Sequence, residues 1–410
     1  MITRIEIDGF KTFDDFSLDL PPFLVLLGAN GSGKSNLLEA VALLGQLVRE
    51  PSSQTLVRYA RRGGPRELFR RGPDGELVDE IRIGATVLVQ AYQIGAVHMR
   101  VDVSIGYREA PEPLTVDLSF EAVDSHRLEV SPKTAEQIDS NAAILQSWTG
   151  PRSETDNHFV MLATSGLGHS ASNWWILDPV PEAMRQPADA YDSDRLAEDG
   201  RNLGAVLGRL WEGDPERKWA FEADVSALLP DVREIDVVRD HDRAQWDIWV
   251  QYKHEPRMAP RVVSGGTLRM LALLAAAHDP DHPGVLMFEE PENGLYPSRV
   301  PRLLERLRGH ATDLGSYEPA KENEVRRSGV RERLRQILVT SHSPVVLASL
   351  LDDAPHDVVF LDTVTRLGEG KSPARLTRAR KVAEGGERGT YVTPIEVRQY
   401  LDPVGYAHGA

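Results

Sequence analysis

Gly28-Ala-Asn-Gly-Ser-Gly-Lys-Ser35 decides the fold, because it is a complete G-x-x-x-x-G-K-S phosphate loop. The apolar run Phe23–Leu27 precedes it and a helical stretch at 36–47 follows it, which is the strand–loop–helix context that such a loop requires. Its glycines let backbone N–H groups curl around phosphate oxygens, and the helix N-terminus adds partial positive charge. We expect the Lys34 ammonium to reach the β- and γ-phosphates and the Ser35 hydroxyl to bind Mg²⁺.

The composition is that of a soluble globular protein large enough for two lobes or domains. The 410 residues are 41% apolar and 27% charged, and no apolar run approaches membrane-spanning length. The N-terminus shows no basic region followed by an apolar stretch, so we expect a cytoplasmic protein without membrane contact. Because the chain has no cysteine, disulfides, thiol nucleophiles and cysteine-ligated zinc are excluded.

The charge distribution leaves nucleic-acid binding open. A net charge of −15 argues against coating nucleic acid through bulk electrostatics. A local basic path is still compatible with the sequence, because six arginines crowd one short segment containing Gly and Pro: Arg58, Arg61, Arg62, Arg66, Arg70 and Arg71. Both a solvated arginine-rich loop and a phosphate-contacting surface fit this segment.

Residue patterns predict an antiparallel β subdomain and a parallel core. Alternation at 4–8 and 16–20 predicts half-buried strands, and similar strands are expected at 81–90, 97–107 and 114–123. Continuous apolar runs at 23–27, 285–288, 337–340 and 358–361 predict parallel strands joined by right-handed helical crossovers. The chain is divided accordingly into an N-terminal ATPase lobe (1–123), an irregular insertion (124–200) and a C-terminal part (201–410).

Further elements are predicted outside the two sheets. Asn202 is interpreted as the N-cap of a helix at 203–210. Further helices are expected at 216–229, 268–277 and 298–307, and a hairpin at 232–238 and 245–250. Within the Pro-, Ser- and Asp-rich stretch 124–199, only 159–162 and 174–177 are strand candidates, and the polar stretch 312–333 is expected to be a surface loop.

Val285-Leu-Met-Phe-Glu-Glu290 is an apolar strand that ends in two acids, which is the Walker B arrangement. Glu289 is expected to hold Mg²⁺, directly or through a water, and Glu290 to orient and deprotonate the attacking water. A pair of exposed strand-end acids is the alternative, but the presence of Lys34 favours the functional interpretation.

Ser264-Gly-Gly-Thr267 precedes an apolar helix that should be buried. The helix N-terminus therefore presents the Ser264 hydroxyl, the N–H groups of Gly265 and Gly266, and a positive dipole end, all of which suit a γ-phosphate. Because the chain's own ATP already has a cradle, we expect this terminus to cap the ATP of a second subunit. A plain turn before a helix is the alternative.

Thr340-Ser-His-Ser-Pro344 follows a predicted core strand, and places His342 at its carboxyl end. From there His342 can hydrogen-bond a γ-phosphate oxygen and the attacking water. We therefore predict three catalytic residues: Lys34, Glu290 and His342.

Together these motifs resemble an ABC-type ATPase head in the branch that contains the SMC, RecF and OLD-type proteins. The resemblance is carried by 2–16, 28–36, 264–268, 288–297 and 340–344, and 199–203 also looks like a recurrent element of the group. The most specific piece, Glu-Glu-Pro-Glu-Asn-Gly-Leu-Tyr-Pro at 289–297, is similar to stand-alone ATPases related to the overcoming-lysogenization-defect (OLD) family. The resemblance implies an α/β P-loop NTPase of ABC-ATPase type, with a parallel core sheet, an antiparallel β subdomain and a helical signature lobe.

The resemblance also implies a Mg²⁺-dependent ATPase whose heads form a homodimer around two ATP molecules. In such a dimer Ser264, the serine of the ABC signature Ser264-Gly-Gly, faces the opposite phosphate loop, and 292–297 forms the loop that crosses the interface. The implied metal ligands are Ser35 and Glu289. The implied ATP-binding residues are Gly28, Ala29, Asn30, Gly31, Ser32, Gly33, Lys34, Ser35, Asn36, Ser264, Gly265 and Gly266.

The sequence departs from the ABC pattern at two positions. Glu289 replaces the usual aspartate, and Tyr296 stands where relatives often carry histidine. The glutamine that links the lobes in this class is not placed, with Gln90 and Gln93 as candidates.

The leading hypothesis is an ATP-dimerised switch that acts with an effector protein encoded nearby or with nucleic acid, and relatives of this kind are associated with anti-phage defence. A RecF-like DNA repair ATPase is the alternative. The chain has no heptad run for SMC-type coiled-coil arms and too short a segment after Leu361 for the nuclease domain of OLD proteins, so its output is expected to belong to a partner. The signature spacing and the Glu-Glu pair disfavour an ABC transporter subunit, and a small-molecule P-loop kinase would not need the signature or His342.

Overall fold

The computed structural model describes residues 1–60, 64–72, 75–91, 95–107, 114–123, 154–279, 284–316, 334–366, 374–383 and 389–401. The strands of this part are β1 (Ile2–Asp8), β2 (Phe16–Asp19), β3 (Phe23–Leu27), β4 (Glu80–Ala91), β5 (Gly95–Tyr107), β6 (Leu114–Ala122), β7 (Trp174–Leu177), β8 (Ala188–Asp189), β9 (Val232–Asp240), β10 (Gln245–Tyr252), β11 (Arg257–Met258), β12 (Val285–Glu289), β13 (Gln336–Ser341), β14 (Val358–Arg366), β15 (Ala374–Val382) and β16 (Tyr391–Val392). The helices are α1 (Lys34–Arg49), α2 (Ser53–Tyr59), α3 (Glu154–Ala171), α4 (Pro181–Met184), α5 (Leu203–Glu212), α6 (Pro215–Leu228), α7 (Gly265–His278), α8 (Val300–His310), α9 (Pro344–Ala348) and α10 (Pro394–Leu401).

A sheet with the described strand order β16-β15-β14-β3-β13-β12-β7 forms the centre of the molecule. From β14 to β7 the strands are parallel, whereas β15 runs antiparallel to β14. Phe23, Val25 and Leu27 of β3 face one hydrophobic core, and Leu24 and Leu26 face the other. The sheet is therefore buried on both faces, as its apolar runs predict. Its parallel order brings the carboxyl ends of β3, β12 and β13 to one edge.

A second sheet, with the order β2-β1-β4-β5-β6, is antiparallel throughout and shares a hydrophobic core with α1. Gln336, the first residue of β13, ties this sheet to the parallel one. Its side chain is fully buried, accepts from the Ile2 N–H at 2.8 Å and donates to the Ile2 carbonyl at 2.7 Å. It also donates to the carbonyls of Leu20 and Pro21.

The helices α5 to α8 and the β9–β10 hairpin form a helical lobe on the other face of the parallel sheet. Helix α7 is at its centre, where all residues from Leu268 to Ala277 except Arg269 are buried. Because α7 is apolar on almost every face, it is stable only when neighbours cover it on several sides. The mixed α/β architecture with a parallel core, an antiparallel sheet and a helical lobe agrees with the prediction.

Part of the 124–200 segment that was expected to be irregular is regular. Residues 159–162, a predicted strand, lie inside helix α3, so that prediction is wrong. Short apolar runs fit a strand and a buried helical turn equally well. The strand predicted at 174–177 is confirmed as β7, which pairs with β12 in the parallel sheet. Residues 124–153 and 317–333 lie outside the described residues.

Asn202 occupies the N-cap position of α5, as predicted, but its side chain makes no capping hydrogen bond. Its side chain accepts from the Ala197 N–H at 2.7 Å and donates to the Arg195 carbonyl at 3.0 Å, so it fixes the preceding loop instead. Among the described residues, no helix is both long and apolar enough to cross a bilayer.

Candidate nucleotide-binding site

The phosphate loop joins β3 to α1 at the carboxyl edge of the parallel sheet. Gly31 and Gly33 have φ values of +77° and +103°, in the left-handed region that glycine adopts without strain. A Cβ atom at Gly33 would lie 2.3 Å from Thr377 Oγ1, so β15 packs directly against the loop. Backbone conformation and close packing together require glycine at position 33.

Lys34 is the first residue of α1 and is buried beneath the loop. Its ammonium donates to the carbonyl oxygens of Gly28 at 2.6 Å and Ala29 at 3.1 Å. Burial lowers the pKa of Lys34, while the nearby carboxylates of Glu290, Glu292 and Glu289 oppose that shift. The lysine therefore lies in the same electrostatic environment as the acids that follow β12.

The Glu289 carboxylate, at the end of β12, lies beside the Ser35 side chain. Burial raises the pKa of Glu289, the Ser35 hydroxyl opposes the rise, and the negative charges of Asp178 and Glu198 add to it. A hydroxyl and a carboxylate oxygen are the hard ligands that Mg²⁺ prefers, so these residues fit a magnesium ion. A divalent cation would also neutralise the acids that crowd Glu289.

Glu290 turns away from β12 with a φ of +45°, and its backbone N–H donates to the Thr340 carbonyl on β13 at 3.0 Å. Its carboxylate accepts from Asn293 Nδ2 at 2.8 Å and contacts His342 Nδ1 at 2.7 Å. Burial tends to raise the pKa of Glu290, but the hydrogen bonds of Asn293 and His342 outweigh it, and the net pKa is lowered. The side chain is therefore ionised and fixed in orientation.

Two further residues, Glu292 and Tyr400, contact the segment that carries His342. Glu292 is only 8% exposed, and one of its carboxylate oxygens accepts from the Ser341 hydroxyl while the other has no partner among the described residues. Burial raises the pKa of Glu292. Tyr400, from α10, donates its hydroxyl to the His342 carbonyl at 2.8 Å, and burial raises the pKa of Tyr400 to about 12. The segment near the C-terminus thus restrains the His342 loop.

On the other side of the loop, a chain of hydrogen bonds connects Asn36 to the loop backbone. Asn36 Nδ2 donates to Thr12 Oγ1 at 3.2 Å, and that hydroxyl lies 2.7 Å from Thr377 Oγ1. Thr377 in turn donates to the Ser32 carbonyl at 3.1 Å. Residues from β15 and from the turn after β1 therefore support the loop.

The predicted signature forms the N-terminus of α7, on the helical lobe. The Ser264 side chain is exposed and accepts from the Thr267 N–H at 3.1 Å, as an N-cap does. Gly266 packs against Gly294, where an added Cβ would lie 2.7 Å from the Gly294 carbonyl oxygen. Ser264 and Gly266 line a groove of about 350 Å³ together with Gly294, Tyr296 and Arg299, and no residue of Gly28–Ser35 lines it.

The structure therefore brings Lys34, Ser35, Glu289, Glu290 and His342 together. Ser264 and Gly266 lie instead with Gly294 of the loop after Glu290, and Gly265 faces Pro181. The supporting residues Thr12, Asp178 and Thr377 were not predicted from the sequence, and Glu292 and Asn293 were predicted only as part of the interface loop 292–297. Asp178 could have been found, because it directly follows the predicted strand at 174–177.

The described part of the arginine segment is largely paired with acids. Arg58, Arg70 and Arg71 form ion pairs with Glu50, Asp14 and Glu67, respectively. Arg66 lies over the Tyr107 ring, and Arg61 and Arg62 lie outside the described residues.

Gln90 lies far from the phosphate loop. It is beyond Val87, which pairs with Ile2, whereas the Asp8 end of β1 pairs with Arg82 and leads towards the Thr12–Asn36 contact. This arrangement disfavours Gln90 as a nucleotide contact. Gln93 lies outside the described residues.

Comparison with known proteins gives three kinds of likeness. The family described as "AAA domain, putative AbiEii toxin, Type IV TA system" matches residues 23–89 and 168–348. A stretch of 69 residues is 46% identical to the DNA replication and repair protein RecF of Parasynechococcus marenigrum (strain WH8102), covering 16% of this chain and 18% of that protein.

Among solved structures, the SMC head bound to the C-terminal winged-helix domain of ScpA aligns over 93% of this chain and 98% of that one, with a TM-score of 0.56 and 12% identity. The SMC head domain from Thermotoga maritima aligns over 93% and 99% of the two chains, with a TM-score of 0.44 and 13% identity. The first of these likenesses shows the fold.

Proposed function

This chain belongs to the family of AAA domains described as putative AbiEii toxins of type IV toxin–antitoxin systems, and is an ABC-type ATPase head of the SMC/RecF-like branch; from that premise we propose that it binds and hydrolyses Mg²⁺-ATP and dimerises around the nucleotide. This cycle of ATP binding, dimerisation and hydrolysis would make the protein a switch that acts on a partner. The observation that carries this proposal is the convergence of Lys34, the Glu289–Ser35 pair and the Glu290–His342 pair at one edge of the parallel sheet.

Phosphoryl transfer requires mainly positioning and charge neutralisation. The loop N–H groups and Lys34 would hold the β- and γ-phosphates, and Mg²⁺ held by Ser35 and Glu289 would supply further neutralising charge. Glu290 would accept a proton from the attacking water, and Asn293 and His342 fix its carboxylate for that role. Because the Nδ1 atom of His342 is engaged by Glu290, any contact with the γ-phosphate would use Nε2.

Dimerisation would complete the pocket. Ser264 is exposed at the α7 N-terminus, and the groove that it lines includes no residue of the chain's own phosphate loop, so this terminus is available to the nucleotide of a second copy. The adjacent loop contains Tyr296, which is 71% exposed although it is large and partly apolar. We infer that Ser264, Gly265 and Gly266 complete the partner's site and that the Tyr296 loop contacts the partner.

The family description supports a role beside a second protein, because a toxin–antitoxin system has two components. The solved SMC head with the winged-helix domain of ScpA is also a head bound to another protein. We propose that an effector protein encoded nearby performs the reaction that the ATPase controls. We further propose that the two proteins act in anti-phage defence and that they are located in the cytoplasm. The division of the chain at 123 and 200 stays a prediction.

The test is the Glu290→Gln variant with ATP and Mg²⁺. Removing the base should slow hydrolysis by about 10²–10⁴-fold and trap an ATP-bound dimer, which size-exclusion chromatography with light scattering detects. Lys34→Ala should bind ATP too weakly to dimerise. Glu305→Gln, on the exposed face of α8, is the matched control and should behave as the unmodified chain does. A Glu290→Gln protein that binds ATP but stays monomeric would contradict the dimer proposal.

The RecF-like alternative is favoured by the 69-residue stretch of 46% identity. It predicts ATP-dependent DNA binding with a steep salt dependence. Replacing Arg61, Arg62 and Arg70 together by alanine should weaken binding and reduce the salt slope. Unchanged DNA mobility in a gel at low salt, with ATP present, would rule this alternative out.

A further inference from the structure

A second cluster of titratable side chains lies in the helical lobe. Asp224 of α6, His278 at the end of α7 and His310 at the end of α8 present one ligand atom each, all within 4.8 Å of one another. Asp224 Oδ2 is 2.9 Å from His278 Nε2 and 3.2 Å from His310 Nε2. Two imidazole nitrogens and a carboxylate oxygen therefore converge on one point where three helices meet.

The surroundings hold these side chains in place. Asp224 is 6% exposed, and the two imidazole rings contact each other edge to face with their centroids 4.3 Å apart. The Phe221 ring packs against His278 in the same geometry at 5.6 Å. Arg306 pairs with Asp224 Oδ1 at 3.2 Å, which leaves Oδ2 for the two histidines.

We propose that Asp224, His278 and His310 bind a divalent transition-metal ion of the zinc type. Two histidines and one carboxylate are a ligand set that Zn²⁺ takes, with bonds of about 2.0–2.2 Å and a tetrahedral arrangement that leaves a fourth position for water. Tetrahedral bonds of that length place ligand atoms about 3.3–3.6 Å apart. The two separations that involve Asp224 Oδ2 are 2.9 and 3.2 Å, so a bound ion would move these side chains apart by a few tenths of an ångström, and all three ligand atoms lie within 4.8 Å of one another.

The electrostatics of the cluster are balanced between opposing groups. The positive charges of Arg306 and Arg335 oppose a cation there. The Asp224 carboxylate favours one, and so do the carboxyl ends of α7 and α8, because each helix contributes about half a negative charge at that end. The alternative is a hydrogen-bonded triad without an ion, in which Asp224 Oδ2 accepts from both imidazoles.

The site would act on the lobe that carries the signature. Helix α7 begins beside Ser264 and ends at His278, and α8 follows the Tyr296 loop and ends at His310. A bound ion would therefore fix the far ends of both helices to α6. The proposal does not depend on the proposed ATPase cycle, because it concerns the opposite end of α7.

The experiment uses the full chain, treated with chelator and dialysed, without nucleotide. After loading with Zn²⁺ and desalting, elemental analysis should find one equivalent per chain, and Co²⁺ should give the visible absorption of a tetrahedral site. His310→Gln, on the most exposed of the three ligands, and Asp224→Asn should each weaken binding by at least about tenfold. Circular dichroism of these variants verifies that they fold.

His342→Gln is the matched control, because it removes an equivalent imidazole beside the Glu290 carboxylate. His342→Gln should retain one equivalent of Zn²⁺ per chain. Zn²⁺ should raise the melting temperature of His342→Gln and of the unmodified chain, but not that of His310→Gln. Failure of the unmodified chain to retain Zn²⁺ would overturn the proposal, leaving the hydrogen-bonded triad. Equal retention by His310→Gln would overturn it as well.

Discussion

Substituting Gly33 by alanine tests whether the phosphate loop depends on its contact with β15. Gly33 has a φ of +103°, and an added Cβ would lie 2.3 Å from Thr377 Oγ1 and 2.9 Å from Thr377 Cγ2. Thr377 is buried and β-branched, so it can avoid the new methyl group only by rotating about χ1. That rotation would break its hydrogen bonds with the Ser32 carbonyl and the Thr12 hydroxyl.

The magnitude follows from two contributions. A left-handed backbone costs a non-glycine residue about 1–2 kcal/mol. Each hydrogen bond lost from Thr377 costs a further 0.5–1.5 kcal/mol or so. Gly33→Ala should therefore lower the free energy of unfolding by about 2–5 kcal/mol. Gly31→Ala is the matched control. The φ of Gly31 is +77°, but an added Cβ would lie 3.5 Å from the nearest atom, a guanidinium nitrogen of Arg375, which is an ordinary van der Waals contact, so only the backbone contribution applies.

The assay is urea unfolding followed by tryptophan fluorescence for both glycine variants and for Thr377→Ala. Gly33→Ala should be less stable than Gly31→Ala by about 1–3 kcal/mol. In the Thr377→Ala background the Gly33 substitution should cost less, because the two shortest contacts, with Oγ1 and Cγ2, are gone and only the Cβ contact at 3.1 Å remains, so the two changes should be non-additive. Equal destabilisation by Gly31→Ala and Gly33→Ala would refute the argument that Thr377 packing requires glycine at position 33.

Three further outcomes are expected. Gln336→Leu should lower the free energy of unfolding by about 2–4 kcal/mol in urea titrations, because it leaves buried backbone groups of the N-terminal sheet unsatisfied; a loss below about 1 kcal/mol would contradict this. Tyr400→Phe removes the hydrogen bond to the His342 carbonyl and, if the ATPase proposal holds, should lower kcat with little change in KM; an unchanged kcat would argue that α10 does not position the loop. The N–H and hydroxyl of Thr393, with Arg380, lower the pKa of Glu396 from 4.5 to about 2, so its stabilisation of α10 is fully present above pH 4.5 and is lost as the pH falls towards 2. Amide exchange in α10 should rise over that interval, and Glu396→Gln should remove the pH dependence.

Much of the fold could be predicted, because the apolar runs and alternating patterns are local signals. The strands near 23–27, 285–288, 337–340 and 358–361 are confirmed as β3, β12, β13 and β14. The error at 159–162 has a physical cause, since a four-residue apolar run carries no period that separates strand from helix. Strand β15 was not predicted, because the apolar residues of 374–382 do not fall at every second position.

The candidate site was predictable to the extent that its residues follow core strands. Glu289, Glu290 and His342 could be identified because parallel strands bring their carboxyl ends to one edge of a sheet. The contact of Thr377 with Gly33 and Ser32 could not, because it depends on β15 pairing with a strand that is itself distant in sequence from the loop. The contact between Ser341 and Glu292 could not be predicted either, because it requires the register between β12 and β13 to be known first.

The position of β3 between β13 and β14 has a consequence for biosynthesis. Both neighbours of this strand follow it by more than about 300 residues, so an emerging polypeptide exposes the apolar edges of β3 until β13 and β14 have been synthesised. At roughly 5–20 residues per second the delay is some tens of seconds. We therefore expect a polypeptide that ends before residue 336, in which both edges of β3 are unpaired, to be prone to aggregation.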